Sequence, residues 1–122
     1  MMRKAWVAAG VFGFSLALWP LAGSAHTHLE KSEPEKNAEL TEPPATVRLV
    51  FSSRIESDFS KIEVTDASGA RVNEDKMTSS DNHREIETSL STGLKPGVYT
   101  VKWNVISDDG HRVKGNYQFT VK

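Results

Sequence analysis

Metal-ligating side chains gather in two short segments of the 122-residue chain, His26-Thr27-His28 and Asp109-Gly110-His111. His26 acquires a chemistry of its own if the chain is cut immediately before it. A free α-amine and the Nδ1 of the same imidazole close a six-membered ring on one metal ion. The amine's ordinary pKa is only about 7.7–8.0, so displacing its proton near neutrality costs little. Nitrogen ligands in a plane favour copper(II). In the second segment, residues i and i+2 of an extended chain point to the same side. A carboxylate and an imidazole would then converge on one ion. Each segment also has a plainer reading. Cleavage can expose a His that binds nothing, and Asp-Gly is a hairpin turn signal beside which His111 is a bystander.

The cut itself is legible. Met1-Met2-Arg3-Lys4 is a short basic head, Ala5 to Leu21 is a nearly uncharged apolar run, and Gly23-Ser24-Ala25 supplies small residues before position 26. These are the three parts of a secretory signal peptide. A membrane anchor is the competing reading. The run is short for about 30 Å of hydrocarbon, and Pro20 interrupts it. Residues 1–25 are therefore expected to be removed, leaving 97 of the 122 residues as one domain, 26–122.

The segment removed carries Arg3 and Lys4 of the 15 basic residues and none of the 16 acidic ones, so the formal charge moves from −1 to −3. No basic stripe exists to neutralise phosphates, which disfavours a nucleic-acid partner. The chain has no cysteine. Thiolate metal sites and thiol catalysis are excluded, and a secreted domain must be held by its core without disulfides.

The elements that must position these residues are strands. Val47, Leu49 and Phe51 alternate with Arg48, Val50 and Ser52, the period of a strand with one buried face. Ile62 and Val64 repeat it before the turn Asp66-Ala67-Ser68-Gly69, and Ile86 and Leu90 lie in a weaker strand stopped by Gly93. After Lys95-Pro96-Gly97, Tyr99, Val101, Trp103 and Val105 form the strongest strand, broken by Asp108-Asp109-Gly110, and Tyr117, Phe119 and Val121 form the last. Residues 26–45, with three prolines and few apolar side chains, read as an extended, solvated arm. Short strands about ten residues apart predict an all-β Greek-key sandwich of about seven strands, with Trp103, Tyr117 and Phe119 in its core.

Taken together the segments resemble the CopC family of periplasmic copper-binding proteins, in particular its short, YobA-like members. The resembling stretches are His26-Thr27-His28-Leu29 with Ser32 and Pro34, the strand Val47 to Ser52, and Leu94 to Trp103. Ser107-Asp108-Asp109-Gly110-His111 and Gly115-Asn116-Tyr117-Gln118-Phe119 complete the match, which keeps the family's order over nearly the whole chain after residue 25. The resemblance implies an Ig-like sandwich with a copper(II) site at one end. His26 would give amine and imidazole, and Asp109 and His111 would complete the site. It implies a non-enzymatic periplasmic protein of copper homeostasis or resistance, sequestering copper or delivering it. The expected partner besides the ion is an inner-membrane copper transport protein, with no membrane attachment once the signal is gone.

Two departures from the family pattern matter. Only Met77 remains after residue 25, and one thioether does not build the methionine-rich copper(I) site that some members carry. Ser53 stands where members often place a Glu after the Phe-Ser of the first strand.

His28 raises an alternative. Amine, two backbone amides and a third-position imidazole wrap copper(II) in a square plane without any fold. That local His26-Thr27-His28 site competes with the folded one for the same amine, and in the folded scheme His28 is a neighbour of the site. His83 sits in a polar loop and reads as surface. The Glu residues near position 30 read as part of the solvated arm, and Arg112 and Lys114 as charge balance beside the site. Two further readings stay open. One is an oxidative polysaccharide-cleaving enzyme, which shares the N-terminal His ligand. The other is a metal-free Ig-like interaction module.

Overall fold

The computed structural model describes Gly10, Gly13 and residues 27–122; the rest of the expected signal peptide, and His26, lie outside the described residues. Among the described residues eight strands form: β1 Leu29–Glu33, β2 Glu39–Leu40, β3 Thr46–Phe51, β4 Lys61–Thr65, β5 Asn73–Ser79, β6 Glu85–Leu90, β7 Gly97–Ile106 and β8 Arg112–Val121. They make two four-stranded sheets, ordered β1-β3-β6-β5 and β2-β8-β7-β4. All neighbours are antiparallel except β2 and β8. The expected all-β, Ig-like sandwich is the fold observed. No described helix is long and apolar enough to cross a membrane.

Period-two alternation builds the core. Val47, Leu49 and Phe51 of β3, Ile62 and Val64 of β4, and Ile86 and Leu90 of β6 are buried. Tyr99 and Val101 of β7 pair with Phe119 and Tyr117 of β8, and Val105 and Val121 are buried as well. Burying each such side chain contributes about 1.5–3 kcal/mol. Tyr99 stacks on Phe119 at 5.4 Å between centroids, and its hydroxyl donates to the Lys95 carbonyl at 2.5 Å. That bond pins the turn before β7.

The arm expected over 26–45 is different in the structure. It contains β1, paired with β3, and β2, paired with β8. Ser32 and Pro34 are buried, and Leu29, Ala38 and Leu40 pack against the core. An edge strand takes its ladder from main-chain groups, which carry no apolar signature. Its glutamates are not merely solvated: Glu30 pairs with Arg84 at 3.1 Å and Glu39 with Lys122 at 3.1 Å. Such exposed pairs contribute about 0–1 kcal/mol each. β5 has no expectation behind it, because only Asn73 of its residues is buried. The Asn73 side chain accepts from the Val64 amide at 2.9 Å and donates to the Ile62 carbonyl at 2.9 Å. It closes the open flank between β4 and β5.

Trp103 is half-buried and faces Gly115 across the β7–β8 ladder. A Cβ on Gly115 would stand 2.2 Å from the indole Cζ2. The absent side chain is the space the indole occupies. Gly115→Ala is therefore expected to cost about 1–3 kcal/mol by overpacking, lowering the melting temperature by several degrees. Thermal unfolding by circular dichroism checks this, and an unchanged midpoint would show that the indole moves aside at no cost.

Candidate metal centre

Residues 52–55, which follow β3, join the two segments singled out by their chemistry. Ser52 holds His28 from both sides: the His28 amide donates to Ser52 Oγ at 2.9 Å, and the Ser52 amide donates to the His28 carbonyl at 2.9 Å. The neighbouring Ser53 Oγ is hydrogen-bonded to Thr27 Oγ1, and Thr27 is only 5% exposed. One residue further, the Arg54 carbonyl accepts from the Asp108 amide at 3.1 Å, and Ile55 bridges Ser107. The Ile55 amide donates to the His83 carbonyl at 2.8 Å. Residues 27–28, the loop carrying His83 and the loop 107–111 thus meet at one end of the sandwich, where β1 begins and β3 and β7 end.

The loop between β7 and β8 is built around Ser107. The Gly110 amide donates to the Ser107 carbonyl at 2.9 Å, and the Ser107 amide to the His111 carbonyl at 2.8 Å. Gly110 sits at φ 86°, a region that favours glycine. The buried Ser107 hydroxyl is hydrogen-bonded to Asp109 Oδ1. The same Oδ1 accepts from the His111 amide at 3.1 Å, and Oδ2 faces His111 Nδ1 at 3.0 Å. The Asp109 and His111 side chains are therefore in contact with each other, for a reason other than the one expected. The carboxylate folds across a turn and caps it, where strand alternation was the expected cause.

Both side chains stay accessible, Asp109 at 49% and His111 at 65%. The Ser107 hydroxyl, then the His111 amide, hold the Asp109 carboxyl down at about 2. The folded value lies below the ordinary 3.9 or so. Its stabilising effect is therefore present above about pH 4 and is lost as pH falls through about 2. Ser107→Ala removes the largest cause and should move the Asp109 midpoint upward toward the ordinary range. Carboxyl carbon shifts followed by NMR on metal-free protein measure this, and a midpoint unmoved by the substitution would refute the assignment to Ser107.

The remaining residues are placed as follows. His28 is exposed beside Ser52. His83 is exposed, as expected of a polar loop, and adopts φ 56°. Arg112 donates to Asn104 Oδ1 at 2.5 Å, so it is engaged along the sheet face. His26 lies outside the described residues, and its covalent neighbour Thr27 is held at Ser53. Among the described residues no three His, Asp or Glu side chains stand close enough to hold an ion. Asp109 and His111 supply two donors, one carboxylate and one imidazole, of the oxygen and nitrogen kind that copper(II) takes. Sequence reasoning passed over Thr27, Ser52 and Ser107 as functional residues. The available signal was a hydroxyl two residues before Asp109, a spacing at which Ser and Asp side chains bond locally.

The model of the CopC domain matches residues 29–122. The chain belongs to the CopC domain family. Within that family it is 36% identical over 99 residues to protein YobA of Escherichia coli K12, covering 80% of each chain. It is 36% identical over 107 residues to the copper transport protein CutJ of Bacillus subtilis, covering 87% of this chain and 20% of CutJ. Among solved structures, CopC from Methylosinus trichosporium OB3b superposes with a TM-score of 0.71 at 32% identity, over 80% of this chain and 94% of that one. The CopC domain therefore makes up nearly all of this chain after residue 25, and the part of CutJ that it matches is about a fifth of that protein.

Proposed function

We propose that the chain is processed to begin at His26 and works in the periplasm as a non-enzymatic copper(II) carrier or buffer. His26 would supply its amine and imidazole, and Asp109 and His111 the remaining ligands. The observation that carries this reading is the junction at residues 52–55, which holds Thr27 and His28, next to His26, on one side and Ser107 and Asp108, next to the Asp109–His111 pair, on the other. Asp109 is already a carboxylate at neutral pH, so protons do not compete for it there. Asp109 Oδ2 and His111 Nδ1 face each other at 3.0 Å, and a copper ion bonded to both side chains would replace that direct contact. Two imidazoles, an amine and a carboxylate suit the oxidised ion. Membership of the CopC family and the name of CutJ support copper as the cargo. Sequestration and delivery require no turnover. In CutJ the domain is part of a much longer copper transport protein, which favours an inner-membrane transport protein as the partner of the separate domain.

The test is the pattern of single substitutions, read by copper titration and EPR of protein beginning at His26. His111→Ala and Asp109→Ala should each weaken binding and change the spectrum, whereas His28→Ala should do little. A damaged folded site frees the amine for the local one, so His111→Ala is expected to keep some copper with a new spectrum. The double change His28→Ala with His111→Ala should remove most tight binding. A spectrum untouched by His111→Ala and lost in His28→Ala would overturn the ligand set in favour of the local site.

A further inference from the structure

We infer that Ser52 and Ser53 select the folded copper site by keeping the backbone of residues 27–28 out of copper's reach. This rests on the ligand set proposed above. The competing local site uses the amide nitrogens of Thr27 and His28 and the His28 ring as ligands. An amide nitrogen bonded to copper has lost its hydrogen. In this fold the His28 amide hydrogen is donated to Ser52 Oγ at 2.9 Å. The His28 carbonyl is held in turn by the Ser52 amide at 2.9 Å. Thr27 is buried, with its hydroxyl on Ser53. Wrapping copper in the local square plane would break the His28–Ser52 pair and pull Thr27 out of its contact. Each bond broken disfavours that arrangement by roughly two- to tenfold.

The same contacts leave the folded site intact. They hold Thr27 and His28, and His26 precedes them by one peptide bond. Ser52 and Ser53 touch neither Asp109 nor His111 in any hydrogen bond of the described residues. They are positioning residues: they hold the segment that follows the ligand and leave the ion to others. Ser53 then does a different task from the acidic residue common at this position in the family. It meets Thr27 with a neutral hydroxyl.

The experiment uses protein beginning at His26, loaded with copper(II) alone, and compares EPR and visible absorption spectra with those of the peptide His-Thr-His-Leu. Wild-type protein should differ from the peptide. Ser52→Ala with Ser53→Ala should shift toward the peptide spectrum, and hydrogen exchange at the His28 amide should quicken by roughly two- to tenfold. Adding His28→Ala to that pair should restore the folded-site spectrum, which also shows that the fold survives. Threonine at either position, which keeps the hydroxyl, should retain the wild-type spectrum. A folded-site spectrum in the double alanine variant overturns the inference while leaving the ligand set standing. Failure of His28→Ala to restore that spectrum overturns it too, because the serines would then merely support the fold. A wild-type spectrum already equal to the peptide's overturns the ligand set itself.

Discussion

Copper(II) affinity should collapse when a single residue precedes His26. A peptide bond at that position turns the amine into an amide and opens the six-membered chelate ring. Loss of an outer hydrogen-bond partner of a metal ligand costs about 10–100-fold in affinity. Losing a ligand atom and its ring should exceed that range. The loss should be the same whether the extra residue is Ala25 or an initiating Met, because both remove the same atom. Competition against a copper(II) chelator of known strength measures it, on protein whose N-terminus has been sequenced. Equal affinity with and without the extra residue would remove His26 from the site. The intact mass of secreted protein is the companion measurement, and a start one residue to either side would have the same consequence.

Copper should also stabilise the fold strongly. The proposed site ties His26 to the loop at 107–111 across the junction at 52–55, so the folded chain binds and the unfolded chain binds far less. With copper at 100 times its dissociation constant the linkage amounts to about 2.7 kcal/mol. For a domain of this size that corresponds to a rise in melting temperature of about 10–20 °C. Residual binding by the unfolded His-Thr-His segment would reduce the rise. Calorimetry without copper and with free copper(II) held at about 100 times its dissociation constant reads it. Stoichiometric copper with a flat melting temperature would point to the local site, which survives unfolding. His111→Ala should remove most of the rise, because it cuts the tie between the two segments.

Much of this was already determined by the sequence. Strands β3, β4, β7 and β8 were legible because one face of each is buried, and burial imposes a period of two on side-chain type. The Asp-x-His triplet and the histidine at position 26 stood out because metal ligation needs particular atoms, and few residue types carry them. Strands β1, β2 and β5 were not legible. They hold their places through backbone hydrogen bonds and single anchors such as Asn73, and the backbone is the same in every sequence. The Asp109–His111 contact lies within a local turn, whose signal was the Ser107 hydroxyl two residues before Asp109. Tertiary structure alone decided that Ser52 and Ser53, 24 to 26 residues from their partners, hold His28 and Thr27. Contacts between residues so far apart depend on which strands become neighbours. That is settled by how the whole core packs, which no local pattern records.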